Sequence, residues 1–501
     1  MDAVENSEID QIFASQIDRQ ASENARQFFS RLMAHSREGH LCLKSPERII
    51  SQQIAEGSGD PLPSLPVVHD NGRYYLQRNW VLETSILHHL LRLSSTRPAL
   101  PLDLNATSIP PQLNFRQAEV LRHAMEHSLT VVTGGPGTGK TFTAGHLIQT
   151  LAKAFRLRVK IAAPTGKAAD RLAQMAVMPD GYEIEALTLH RLLSLQPGRC
   201  RLFEKREISA DLIIVDEASM IDASLFAHLL AAVPNGSRIV LLGDADQLPP
   251  IDGGGIFADL AASIAIHLED CHRTKDDSMQ NIYRAARTVD VNPLYTILEP
   301  MPRNLAEWLE PWFGQLVFHD RPSVAELQER FDRFRLICPL RKGPCGVDAI
   351  NADILRRLQQ KLSLGSWWAA PIVLTNNDSS LQLYNGSPAI VIGRYCGGSI
   401  PGGNEEVVFN DGRSFFLSQL PGYEIAFALS VHKSQGSEYE QVICALPSGS
   451  EQFAREALYT AITRAKHSVR LLGDRATLDA MIQIRSCQQN GLMERWMGES
   501  L

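Results

Sequence analysis

Gly134-Gly135-Pro136-Gly137-Thr138-Gly139-Lys140-Thr141 follows the apolar run 130–133 (TVVT) and leads into a helical pattern. The stretch satisfies G-x-x-x-x-G-K-[ST] at every offset, in the strand-then-helix setting that gives the pattern its meaning. The glycines let successive backbone N–H groups close around phosphate oxygens, and the helix N-terminus adds its positive end. Lys140 is spaced to reach the β- and γ-phosphates, and Thr141 to put a hydroxyl on magnesium. The whole stretch is therefore expected to contact ATP, with Mg2+ held in part by Thr141.

Three further apolar runs, 159–163 (VKIAA), 212–215 (LIIV) and 239–242 (IVLL), alternate with helical patterns. Continuous apolar character fits strands buried on both faces of a parallel sheet. The alternation predicts a doubly wound α/β domain over 113–275. Ligands of such sheets sit at the carboxyl ends of the strands. Asp216-Glu217 closes one run: Asp216 is suited to hold magnesium through its waters, and Glu217 to orient or deprotonate an attacking water. Leu242-Gly243-Asp244-Ala245-Asp246-Gln247 closes the next, where Gln247 could bond a γ-phosphate oxygen and sense hydrolysis. Taken alone, the acidic pair is a solvated turn and the second segment a polar loop. Their places behind buried strands, downstream of a complete phosphate loop, favour the functional reading.

A second α/β pattern occupies 276–501. Within it, 372–420 is richer in Gly, Asn and β-branched residues, predicting a small β-rich insertion around 390–392, 407–409 and 415–417. Residues 1–112 read as a separate, mainly helical unit. The spacings Ile12, Phe13, Ile17 and Phe28, Phe29, Leu32 suggest amphipathic helices, 74–76 a short strand, and 80–93 another helix. Pro98, Pro101 and Pro110-Pro111 mark a linker.

With 501 residues, 44% hydrophobic and 21% charged, the chain has material for several packed domains and is not a disordered tail protein. Asp plus Glu outnumber Lys plus Arg by 56 to 49, a formal charge of −7. Residues 1–112 hold 10 basic and 13 acidic groups, leaving 39 and 43 for the rest. Neither part is the basic surface of a nucleic-acid coat; any grip on nucleic acid should be local. The eight cysteines form no C-x-x-C pair and no zinc spacing. The first residues lack the charged and apolar regions of a signal peptide, and no apolar run approaches the roughly 18 residues that span a bilayer. A cytoplasmic protein is expected.

Further segments fall in a recognisable order. They are Leu113-Asn114-Phe115-Arg116-Gln117, Ala163-Pro164-Thr165-Gly166-Lys167-Ala168-Ala169, Thr188-Leu189-His190-Arg191-Leu192, Cys271-His272-Arg273, Val431-His432-Lys433-Ser434-Gln435-Gly436-Ser437-Glu438 and Tyr459-Thr460-Ala461-Ile462-Thr463-Arg464-Ala465. Together with the phosphate loop they resemble the motifs of superfamily-one helicases of the 5′→3′ branch. Three less general stretches point within that group to the RecD family, the alpha subunits of the exodeoxyribonuclease V (RecBCD) enzyme. These are Glu38-Gly39-His40-Leu41-Cys42-Leu43, Leu336-Ile337-Cys338-Pro339-Leu340-Arg341-Lys342-Gly343-Pro344-Cys345-Gly346-Val347, and Asn377-Asp378 with Leu383-Tyr384-Asn385-Gly386.

The resemblance implies two RecA-like motor domains, 113–275 and 276–501, with an SH3-like insertion near 372–420 and a partner-docking domain over 1–112. It implies an ATP-dependent 5′→3′ DNA helicase that works with RecB-like and RecC-like subunits in double-strand-break repair by recombination, with the nuclease in a partner. Gln117 would read adenine, Glu438 would join the ATP site, and Arg273 and Arg464 would act on the γ-phosphate, Arg464 as a finger-like arginine. Arg284 and Arg287 compete for the role given to Arg273. DNA contacts would come from Thr165, Lys167, Thr188, His190, His432, Lys433 and Ser434, groups suited to phosphates that carry no sequence information. Packing histidines remain the alternative for His190 and His432. The run Arg330, Arg333, Arg335, Arg341, Lys342 reads equally as a DNA patch or a solvated face, and Trp367-Trp368 as core before a stacking platform. Two other readings stand beside the leading one. The first is a free-standing RecD-like helicase, disfavoured because 112 residues leave no room for its longer N-terminal extension. The second is a nucleotide-switched regulatory subunit that does not translocate.

Overall fold

The computed structural model describes residues 7–57, 63–100, 109–154, 157–175, 184–195, 207–270, 277–378, 380–486 and 488–499. They belong to two compact units, Met1–His272 with Cys487–Leu501, and Arg273–Ser486.

The first unit is built on a six-stranded sheet in the order Ile266–Leu268, Leu129–Gly134, Arg238–Gly243, Leu212–Val215, Val159–Ala163, Glu185–Thr188. Every pair is parallel. Successive side chains of a strand point to opposite faces, and both faces are dry. Ile213, Val215, Ile239 and Leu241 meet Phe226, Leu229 and Leu230 of the helix Ala223–Ala232. Leu212, Ile214, Val240 and Leu242 meet Leu147, Ile148 and Leu151 of the helix Lys140–Ala154, and Val120 and Leu121 of the helix Phe115–Glu126. All strands end at one edge, so the loops after Gly134, Val215 and Gly243 emerge side by side.

The N-terminal segment carries more sheet than its periodicity predicts. Besides the helices Glu8–Ile17, Glu23–Arg37 and Gln77–Ser95 it forms a four-stranded sheet, ordered Cys42–Lys44, Arg73–Leu76, Val67–Asp70, Ile54–Glu56. Strands of three or four residues are too short to declare a period of two. Nor does this segment stand apart. Ile86, Leu87, Leu90 and Leu93, one face of Gln77–Ser95, share a core with Phe226 and Leu230 beside the parallel sheet. Residues 101–108 of the expected proline-marked linker lie outside the described residues, and the helix before them is committed to the neighbouring core.

The last residues also pack in this unit, although the sequence pattern groups them with 276–501. The helix Leu492–Glu499 lies against Gln77–Ser95 and Ile256–Ile264. Leading into it, Leu41 N–H donates to Gln489 O (2.8 Å) and Gln489 N–H to His40 Nδ1 (2.9 Å). Gln488 Nε2 donates to Pro250 O (2.8 Å) and Asn490 Nδ2 to Gly254 O (3.0 Å). Fully buried Glu83 then accepts from Gly491 N (2.9 Å), Arg495 Nη1 (3.2 Å) and Tyr75 Oη (3.2 Å). A polar stretch such as 488–491 gives no periodic signal; its partners are set by tertiary contact.

The second unit has a five-stranded parallel sheet, ordered Leu298–Glu299, Ala465–Leu472, Tyr439–Ala445, Phe334–Cys338, Ala428–Ser430. Beside it is an antiparallel sheet, Val317–Phe318, Trp367–Leu374, Pro388–Arg394, Glu406–Phe409, Ser414–Phe416, with Tyr423–Ile425 also paired to Trp367–Leu374. One hydrophobic core, including Leu336, Ile443, Trp368 and Val391, joins the two sheets. The antiparallel sheet exceeds the expected 372–420 at both ends, because 317–318, 367–374 and 423–425 complete it. Trp368 is buried within it and Trp367 packs on the same core, which is the core reading of that pair. Among the described residues no helix is long and apolar enough to cross a membrane.

Candidate functional site

The phosphate loop runs from the strand Leu129–Gly134 into the helix Lys140–Ala154. Gly139 has φ +84, which strains any residue with a Cβ, and a Cβ there would displace Gln117 Nε2, 2.6 Å away. Lys140 Nζ donates to Gly134 O (2.6 Å) and Gly135 O (3.0 Å), folded over its own loop. Thr138 Oγ1 donates to Gly135 O (3.0 Å), which fixes the turn from within.

Thr141 Oγ1 donates to Asp216 Oδ2 at 3.3 Å. Two hard oxygen donors, one from the loop and one from a strand end, thus converge, the ligand type that suits Mg2+. Burial, then the neighbouring Glu217 charge, pushes the Asp216 carboxyl up to about 6, against the Glu217 N–H bond and the charges of Lys140 and Arg171. A buried carboxyl held near neutrality is a group that a bound cation would stabilise as the anion. Glu217 itself takes a left-handed conformation, φ 53 and ψ 39, a strained choice for a residue with a Cβ. Gln247 is buried. Its Nε2 donates to Asp244 Oδ2 (3.2 Å), while its Oε1 has no partner among the described residues. An orphaned buried oxygen is rare, and here it sits in the loop after Gly243, where a ligand is expected.

Gln117 also makes bonds within the protein. Its Oε1 accepts from Asn114 N (3.1 Å), Asn114 Oδ1 accepts from Gln117 N (2.8 Å), and Gln117 Nε2 lies 3.5 Å from Thr138 O. The amide closes a capping box and braces the phosphate loop. Two residues were not singled out by their motifs. Asp244 holds the Gln247 amide, and Arg171 contributes positive charge at Asp216. A carboxylate following a buried strand signals the first; nothing local signals the second.

The remaining candidates divide by unit. Ala163 pairs with Thr188 across two strands, so the segments after them lie together. Thr165 Oγ1 is buried without a partner among the described residues, Thr188 Oγ1 caps Arg191 N (3.4 Å), and His190 is exposed. The Lys167 side chain and all of Arg273 lie outside the described residues. The rivals Arg284 and Arg287 are exposed on the helix Asp277–Arg287.

In the second unit Ser434 is fully buried and its hydroxyl donates to Val431 O (2.7 Å), so it shapes the turn and cannot itself touch a DNA strand. His432 is held below its usual pKa by burial, hence neutral at pH 7. Lys433 pairs with Glu424. Buried Arg464 donates through Nε to Thr460 O (3.0 Å) and through Nη1 to Ser437 O (3.4 Å), and Glu438 lies 3.9 Å from Lys466. In the basic run, Arg330 bonds Gln315 O, Arg333 pairs with Glu329, and Arg335 is buried over the Tyr439 ring. These three serve their own unit and do not form a patch.

A family profile described as an AAA domain matches residues 112–298, and one described as a UvrD-like helicase C-terminal domain matches 425–472. The chain is similar to the RecBCD enzyme subunit RecD of Mycolicibacterium smegmatis, at 34% identity over 465 residues, covering 84% of this chain and 82% of that protein. It is similar at 34% over 479 residues to the RecBCD enzyme subunit RecD of Mycobacterium tuberculosis, covering 86% and 81%. It is 31% identical over 450 residues to the ATP-dependent RecD2 DNA helicase of Deinococcus radiodurans, covering 85% of this chain and 58% of that one.

Proposed function

This chain belongs to the RecD family of ATP-dependent DNA helicases, and we propose that it drives 5′→3′ movement on one DNA strand within a RecBCD-type helicase-nuclease. RecB-like and RecC-like chains are the partners, the nuclease lies in one of them, and the work is processing DNA ends for recombinational repair in the cytoplasm. The parallel sheets of the two units are RecA-like motor folds. Residues 1–112 serve as the docking part, 113–275 and 276–501 as the two motor parts, and the antiparallel sheet as an SH3-like insertion.

The observation that carries this reading is the convergence of Thr141 Oγ1 on Asp216 Oδ2 beside a complete phosphate loop. Lys140 and the loop's N–H groups bind the phosphates, Thr141 and Asp216 hold Mg2+, and Glu217 orients the attacking water. Mg2+ neutralises charge on the phosphates. Gln247 presents its free Oε1 toward the hydrolysis step, Gln117 supports the loop and adenine, and Arg464, aided by Arg273 and Glu438, stabilises γ-phosphate charge. Thr165, Lys167, Thr188, His190, His432 and Lys433 grip the strand, with Ser434 behind them.

Purification of the native chain should recover large RecB- and RecC-like proteins. In that complex Arg464→Ala should leave ATP binding in place and reduce DNA-stimulated hydrolysis by about 10³-fold, the scale of a lost arginine finger. Unchanged turnover would remove Arg464 from the site. Robust unwinding by the isolated chain would favour a free-standing helicase, and nucleotide binding without DNA-stimulated hydrolysis a switch.

A further inference from the structure

Three charged groups in the second unit form an arrangement that the nucleotide site does not use. The strands Phe334–Cys338 and Ala428–Ser430 are parallel neighbours, with Cys338 opposite Ser430. Three residues beyond each, Arg341 and Lys433 leave the same sheet edge. Both reach one carboxylate, that of Glu424 on the strand Tyr423–Ile425. Arg341 Nη2 takes Oε1 and Lys433 Nζ takes Oε2. Burial alone would raise the Glu424 pKa, but the hydrogen bonds and charges of Lys433 and Arg341 outweigh it and hold the carboxyl low. The other acid at the cluster is Asp348, 3.6 Å from Arg341 Nε. Val347, Val373 and Leu429 line the same depression as the three charges.

Two cations on separate oxygens of one anion is also how Arg and Lys hold a phosphate. The group held here is internal, and it is open to exchange. The side chains of Glu424, Lys433 and Arg341 are 29%, 23% and 53% exposed, and ion pairs with that much solvent contact are weak.

We propose that Glu424 is a built-in stand-in for a DNA phosphate, and that Arg341 and Lys433 form a two-cation phosphate seat which the strand enters by displacing it. The proposal rests on the reading that this unit grips single-stranded DNA, and it adds Arg341 as a contact and Glu424 as the competitor. A motor must release its track in every cycle. A carboxylate that returns to the seat lowers the barrier to release and keeps the two cations from binding polyanions indiscriminately. The chain's excess of acidic over basic residues is consistent with such a locally moderated grip.

The test is binding of a fluorescent oligothymidylate to the intact complex across a range of salt concentrations, without nucleotide. Glu424→Gln should tighten binding by about 3–10-fold and steepen the log–log salt dependence by up to ~0.7, the increment for one single-strand phosphate contact. Adding Arg341→Gln should abolish that gain. Arg341→Gln alone should weaken binding and flatten the slope. Unchanged or weaker binding by a folded Glu424→Gln complex overturns the proposal. Should that variant not fold, an unchanged salt slope in Arg341→Gln does so instead. Failure of the wild-type complex to bind the oligonucleotide would strike the underlying reading and not the role of Glu424.

Discussion

Lys140→Ala is expected to abolish ATP-driven movement while leaving the fold intact. The lysine leaves the first turn of its helix and folds over the loop onto Gly134 O and Gly135 O. Those carbonyls can turn to water when the ammonium is gone, so the loss to stability should be small. The loss to chemistry should not be. Phosphoryl transfer is mostly positioning and charge stabilisation, and removing one preorganised donor typically lowers turnover by about 10²–10³-fold. Here the same group also helps bind the phosphates, so ATP affinity should fall as well. Phosphate release by the complex with saturating DNA measures the effect, and the melting temperature controls for folding. A variant keeping a tenth of wild-type turnover would show that Lys140 does not act on the transferred group.

The meeting of the phosphate loop with the Asp216 strand end was legible because its signals are local. Spacing alone places Lys140 and Thr141 on one helix turn, and an apolar run followed by Asp216-Glu217 marks a strand end. Parallel pairing then brings the separate loops to one edge without further information. What could not be read is side-chain commitment. Gln117 has the residue type for a base reader, and its amide also closes a capping box and reaches the phosphate loop, which the motif does not announce. Ser434 has the hydroxyl for a backbone contact, yet tertiary packing buries it completely. The bonding partners Asn114 and Val431 lie only three residues away, but the approach of Gln117 to Thr138 and the burial of Ser434 come from packing, which residue spacing does not encode.

The same limit explains the tail. Its apolar residues pack as any amphipathic helix would, but Gly491, Glu83, Tyr75 and Arg495 meet only in three dimensions. A Cβ on Gly491 would lie 2.1 Å from Tyr75 Oη, so close approach there requires glycine. The N-terminal segment, the loop 250–254 and the chain's end are thereby joined within one unit.

Arg495→Ala should therefore be the most damaging substitution outside the nucleotide site. Arg495 is its unit's cationic partner for Glu83, which is completely buried, and its guanidinium lies 4.0 Å from the Trp80 ring centroid. Removing one member of a buried ion pair strands the other, at about 3–5 kcal/mol, and the cation–π contact is lost with it. The remaining carboxyl can escape only by taking up a proton. Burial already holds the Glu83 pKa above its usual 4.5, against the Gly491 N–H and the Arg495 charge; without Arg495 it must rise further. The sign follows. Protonated Glu83 is tolerated below the unfolded pKa, so the variant's deficit is small in acid. It grows once pH passes the raised wild-type folded pKa of Glu83 and levels off only above the still higher value in the variant. Hydrogen exchange of the Gln77–Ser95 amides reads this locally, without assuming that two units unfold as one. Protection in Arg495→Ala should approach wild type near pH 5 and fall by about 10²–10³-fold near pH 8, the population change that ~3–4 kcal/mol produces. A deficit independent of pH would show that packing over Trp80, not the stranded charge, is what Arg495 supplies. Pairing Glu83→Gln with Arg495→Ala should remove most of the pH dependence, leaving the part due to Asp70, 3.9 Å from Arg495, and restore part of the protection.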